Sequence, residues 1–176
     1  KELDIRGPHG SLVRIEVFCH GALCMAVSGK CYLSLDNFNT SANRGACMQP
    51  CRRGYIVQDR DKEITLEIDN EYIMSPKDLC TLPFLDKVLD AGVKVLKIEG
   101  RGRSPEYTKV TVSAYREAID AIAENKFTEE KIAELTKRLR SVYNRDFWDG
   151  YYLGRKIGEW TQRYGSQATK TKLFIG

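Results

Sequence analysis

Apolar and charged residues alternate from Val13 to Phe18, and this period of two predicts a β-strand. Two more alternating runs, Tyr55 to Gln58 and Ile64 to Ile68, flank the polar turn Asp59-Arg60-Asp61-Lys62 and predict a β-hairpin over 54–70. The period then lengthens. Ser75-Pro76-Lys77-Asp78 carries the marks of a helix start: a capping serine, a proline at the first helical position and an acid three residues on. Leu79, Leu82, Phe84, Leu85, Val88 and Leu89 would form the apolar face of that helix, and Ala91-Gly92 would end it. Val93 to Ile98 reads as a short strand, and Ser104-Pro105 opens a helix carrying Tyr107, Val110, Val112, Ala114, Tyr115, Ala118, Ile119 and Ile122 as far as Asn125. Thr128 caps a further helix from Glu129 to Tyr143, acidic first and basic later, as the helix dipole favours. The chain closes on a strand-like run, Lys172 to Gly176. Helix, strand, Gly-rich turn and helix in succession predict a parallel α/β fold.

Composition narrows the classes. The chain has 176 residues, 42% of them hydrophobic, which is enough apolar material for a core without a disulfide framework. A net charge of +4 permits RNA binding without demanding it. No apolar run is long enough to cross a membrane, and the start at Lys1 carries no initiator Met and no signal sequence, so a soluble fragment is expected. Tyr143, Phe147, Trp148, Tyr151, Tyr152, Trp160 and Tyr164 interleave with Arg145, Arg155, Lys156 and Arg163 near the C-terminus. Bases can stack on such rings, although rings of this kind more often pack a segment onto its domain. Residues 146–176 read as an aromatic and basic extension leading toward a further domain.

The candidate chemistry lies in the cysteine-rich loop 19–54. Cys19, Cys24, Cys31, Cys47 and Cys51 fall within 33 residues, separated by Gly-, Ser- and Asn-rich turns, and Cys80 follows. Disulfides, buried core thiols and metal ligation all account for cysteines. Cys19, after Val17 and Phe18, suits a core thiol. Cys47-x3-Cys51 presents two thiolates from one turn while Cys24 and Cys31 approach from the other side of the loop, and four soft thiolates suit zinc or an iron–sulfur cluster. Cys80, near an expected helix N-terminus, is a reserve ligand. Arg44, Arg52 and Arg53 surround the loop with positive charge, which balances thiolates or holds phosphate or carboxylate. His20 follows the first strand, and Glu99, Arg101 and Arg103 follow the strand Val93 to Ile98, at the ends where an α/β barrel collects its chemistry.

The blocks Glu16 to Cys24, Ser28 to Ser34, Asn43 to Arg52, Tyr72 to Cys80 and Lys97 to Arg101 resemble, in this order, the signature of the collagenase-like peptidase family U32. That resemblance implies a TIM-like barrel, of which residues 1–145 would be the C-terminal half, with the first half missing from this sequence or supplied separately. It implies a 4Fe-4S cluster on the loop cysteines and oxygen-independent hydroxylation of RNA, with tRNA wobble uridine as substrate and prephenate as co-substrate, in the cytoplasm. His20, Glu99 and Arg101 would be the catalytic residues, with Arg52, Arg101 and Arg103 binding substrate. The family's older naming implies instead a collagenase-like protease, and a non-catalytic metal loop that binds RNA or a partner is a third reading. The chain lacks His-Glu-x-x-His and Gly-x-Ser-x-Gly and holds only two histidines, His9 and His20, which argues against a zinc or serine protease built within it.

Overall fold

The computed structural model describes residues 4–26, 31–57, 71–154 and 159–170. The chain packs into two compact units, one from Lys1–Gly21, Cys80–Val142 and Thr169–Gly176, the other from Ala22–Leu79 and Tyr143–Ala168. Most of the expected hairpin over 54–70, and the final run from Lys172, lie outside the described residues. The described elements are mixed α/β with parallel strand pairing, and among the described residues they form no closed barrel.

In the first unit, β1 (Glu16–Gly21) pairs in parallel with β3 (Val95–Ile98), Glu16 opposite Val95 and His20 opposite Ile98. The strand starts three residues later than the alternation suggests, because pairing begins where the Ile15 carbonyl accepts from Lys94 and Val95. Val13 and Ile15 are exposed, whereas Cys19 and His20 are buried. Two helices follow β3. In α3 (Pro105–Ala123), Ser104 Oγ accepts from the Tyr107 amide; in α4 (Glu129–Arg140), Thr128 Oγ1 accepts from the Lys131 amide. Both caps are the ones the sequence marks. The helices meet through Glu117, which pairs with both Lys131 and Arg138. Tyr107, Thr111, Ala114, Tyr115 and Ala118 are buried along α3 at spacings of three and four, and they share the unit's core with Leu82, Leu85, Leu135 and Leu139. Val112, expected on the apolar face, is exposed.

The helix expected to start at Ser75 starts later. Asp78–Cys80 form the strand β2, a 3-10 turn spans Leu82–Phe84, and the helix proper, α2, runs Leu85–Asp90. Residues of the second unit take up the capping groups. The Ser75 carbonyl accepts from Thr161, Ser75 Oγ from Arg52, and the Asp78 carboxylate from the Arg145 amide. With Pro83 inside the following turn, the helix cannot begin until the segment has been used as a strand.

In the second unit Asp78 and Leu79 of β2 pair in parallel with Phe147 and Trp148, which form β4 (Phe147–Trp148). The cysteine loop, expected to be turns alone, contains a short helix, α1 (Leu33–Phe38), ended by Asn39 in the left-handed conformation. Among the described residues, only Leu79 and Trp148 of this unit are large apolar side chains buried to core level. Besides Pro50 and Pro76, its other buried side chains among the described residues are polar: Ser34, Arg52, Ser75, Asp78, Asn144, Arg145 and Thr161.

Candidate metal centre

Three local devices shape the thiol loop. Ser34, wholly buried on α1, accepts the Met48 amide at 3.1 Å and so ties the helix to the segment after Cys47. Gln49 adopts φ 54°, which turns the chain into a 3-10 turn over Pro50–Arg52. Arg52, 8% exposed, donates to the Leu23 carbonyl at 2.5 Å, the Pro76 carbonyl at 2.6 Å and Ser75 Oγ at 3.2 Å, pinning both flanks of the loop. The arginine expected to bind substrate is thus also a clamp on the backbone.

These constraints bring Cys24, Cys31, Cys47 and Cys51 to the wall of one cavity of about 460 Å³. None of the four is in a disulfide. The Cys51 thiol is pushed up by burial, drawn down by Arg52 and raised again by Cys47, Cys24 and Cys31. The Ala26 amide points at Cys24 Sγ, 3.4 Å away, the kind of bond that tunes a cluster thiolate. Among the described residues, no group of three or more His, Cys, Asp or Glu is arranged to hold a metal ion. A single tetrahedral zinc at its usual bond length would need sulfurs about 3.8 Å apart. Four sulfur donors on the wall of one cavity are the soft donor type that zinc and iron–sulfur clusters both take.

Cys80 belongs to the other unit, 3% exposed at the end of β2, its thiol pushed up by burial to about 11. Cys19 is fully buried and pushed up to about 12 by burial and then by Cys80, the state of an inert core thiol. His20, 2% exposed, lies with its Nδ1 3.4 Å from the Tyr115 hydroxyl and its ring against Tyr107 and Tyr115. Burial, and after it Arg103, lowers its pKa to about 3, so the imidazole is neutral at ordinary pH. Glu99 does not pair with the Arg101 side chain. Its carboxylate accepts the Arg101 amide at 3.0 Å and so fixes the turn, leaving the Arg101 side chain exposed. Arg103 lies over the Tyr107 ring, 5.7 Å from its centre, and the Tyr107 hydroxyl donates to the Glu99 carbonyl.

One group was not singled out from the sequence. Arg145, 7% exposed, donates its backbone amide to the Asp78 carboxylate at 3.1 Å and holds its guanidinium 3.5 Å from that carboxylate, while its Nη2 donates to Gln49 Oε1 at 3.2 Å. In the sequence it stands among other basic residues after a helix, and nothing there marks it as buried.

The sequence model that describes peptidase family U32 matches residues 5–162. The chain belongs to this family. A protein named collagenase from Porphyromonas gingivalis strain W83 is 59% identical over 173 residues, covering 98% of this chain and 42% of that protein. The tRNA hydroxylation protein P1 of Bacillus subtilis is 37% identical over 171 residues, 93% of this chain and 40% of that protein. A 23S rRNA 5-hydroxycytidine synthase of Escherichia coli K12 is 42% identical over 113 residues, 64% of this chain and 17% of that protein. The U32 chain thus spans less than half the length of each of these relatives. No solved structure matches it. All four cavity cysteines, and His20, Glu99 and Arg145, fall inside the stretch that identifies the U32 family. No helix among its described residues is long and apolar enough to cross a membrane.

Proposed function

We propose that this chain is the cluster-bearing part of an RNA-modifying enzyme, with a 4Fe-4S cluster held by Cys24, Cys31, Cys47 and Cys51. The observation that carries the reading is the convergence of these four thiols on one cavity of about 460 Å³. A second observation supports it: the unit that contains them buries few large apolar side chains and many polar ones. Small units of that kind are commonly held by a metal or cross-link rather than by a core. The relatives named for tRNA hydroxylation and for hydroxycytidine synthesis in rRNA support RNA as the substrate class.

The reaction we assign is transfer of a hydroxyl group from prephenate to the wobble uridine of a tRNA. The pyrimidine carbon exchanges its hydrogen for the hydroxyl and is oxidised, while the donor carbon is correspondingly reduced, so no oxygen molecule is consumed. A bound cluster supplies one-electron chemistry. The chain's own residues hold the thiolates in place: Arg52 fixes the loop flanks and offsets negative charge, Ser34 positions the segment after Cys47, and the Ala26 amide tunes Cys24. Zinc remains the alternative metal. The α/β elements are taken as the C-terminal half of a TIM-like barrel completed by residues outside this sequence, and the protein as cytoplasmic.

Anaerobic purification with iron, sulfide and zinc analysis tests the reading. About four irons and four sulfides per chain, lost in Cys47→Ser, together with prephenate-dependent hydroxylation of tRNA, are expected. Zinc alone, or no metal, would sink it. The collagenase-named relative at 59% identity favours a second reading, proteolysis. Collagen cleavage that is unchanged in Cys47→Ser would favour that one.

A further inference from the structure

A second cavity, of about 510 Å³, lies in the same compact unit as the thiol cavity and shares Cys47 with it. Arg52, Arg53, Arg145 and Arg163 line it, and among the described residues no carboxylate does. Four guanidiniums around one hollow repel one another unless anionic groups lie among them. Arg52 is spent on three bonds to its own chain. Arg145 gives its Nη2 to Gln49 and pairs loosely with Asp78. It is more than nine-tenths buried, yet its Nη1 makes no hydrogen bond. Asp78, 3.5 Å from that nitrogen, offsets the charge of one arginine, while exposed Arg53 and Arg163 make no ion pair with any described residue. The hollow is within the usual size of a small-ligand pocket. Tyr164, 67% exposed, offers a ring face at its rim.

We infer that this cavity binds an oxyanion, a carboxylate or phosphate group, of a ligand whose remainder reaches Cys47. Arg145 and Arg163 supply the planar paired donors that such groups accept. The chemistry is common to a free dicarboxylic acid and to the phosphodiester of a bound RNA strand. The site rests on the arginines and needs no cluster.

The test is calorimetric titration of the purified protein at low salt with two probes, malonate and a five-residue oligouridylate, with iron and sulfide measured on the same preparation. At least one probe binds saturably, and Arg163→Gln weakens it about tenfold, the scale of one charge-assisted hydrogen bond. Arg53→Gln weakens it in the same direction. Lys109→Gln on α3, far in sequence from the cavity residues, does not. The melting temperature is unchanged in Arg163→Gln, so lost binding is not lost folding. Malonate binding alone identifies a free acid, and oligouridylate binding alone identifies RNA phosphate. Absence of binding by both probes, or equal loss in Lys109→Gln, overturns the site. Protein without iron that still binds a probe sinks only the cluster, and iron-loaded protein that binds neither sinks only this site.

Discussion

The guanidinium of Arg145 lies 3.5 Å from the carboxylate of Asp78, with both side chains more than nine-tenths buried. The Arg145 amide also donates to that carboxylate at 3.1 Å, so one acid holds both the backbone and the charge of one arginine. Replacing Asp78 by Ala strands a buried cation and is expected to cost about 3 kcal/mol, whereas pairing it with Arg145→Met removes both charges and recovers much of the loss. Urea unfolding of the two single variants and the double, followed by Trp148 fluorescence, measures the coupling. Additive losses would show that the pair is not a unit.

His20 makes stability depend on pH. Its folded pKa of about 3 lies below its ordinary value of 6.5, so the unfolded chain binds the extra proton. The contribution is complete above pH 6.5 and is lost as pH falls toward 3, by on the order of 5 kcal/mol across the whole window. Unfolding midpoints of wild type and His20→Phe, compared between pH 7 and pH 4, should converge as pH falls. Parallel curves would mean that His20 is not buried neutral in solution.

The six thiols should separate by reactivity in metal-free protein. Cys24 and Cys47 are exposed, while Cys19 and Cys80 are buried and pushed up to about 12 and about 11. Timed alkylation with peptide mass analysis is expected to label Cys24 and Cys47 first and Cys19 and Cys80 only on unfolding. Protection of Cys24, Cys31, Cys47 and Cys51 together in anaerobically prepared protein would follow if one group binds all four.

Gly21 ends β1 at φ 120°, and a Cβ there would stand 2.6 Å from the Glu99 carbonyl oxygen. Gly21→Ala therefore meets both an unfavourable backbone conformation and a backbone clash, and should cost about 2 kcal/mol or more. Thermal unfolding of the variant checks this. An unchanged midpoint would show that the contact between Gly21 and Glu99 is looser than drawn.

What the sequence made legible was local. Ser104 and Thr128 cap the helices they announce, because each needs only an amide three residues on. Cys24, Cys31, Cys47 and Cys51 stand out from the sequence as one cluster, and all four line one cavity. Ser75 misled for the opposite reason: its hydroxyl, its carbonyl and the Asp78 carboxylate are engaged by Arg52, Thr161 and Arg145, partners 23 to 86 positions away. The helix α1 escaped notice because its Leu-Ser-Leu-Asp-Asn-Phe run is short and flanked by turn residues, and tertiary bonds to Ser34 hold it. Arg145 carries no local signal at all, since its burial depends on residues that the chain delivers from Gln49 and Asp78.

The two-part construction of the second unit has a consequence for synthesis. Its first stretch ends at Leu79 and its second begins at Tyr143, so residues 80 to 142 must leave the ribosome in between. At the usual pace of translation that takes roughly 3 to 13 s. Throughout that interval the cysteines of the first stretch have been made, while Arg145, which bonds Gln49 and Asp78, has not. The nascent loop must therefore remain reduced and unaggregated before its own fold can close, which falls late, after the chain has passed residue 168.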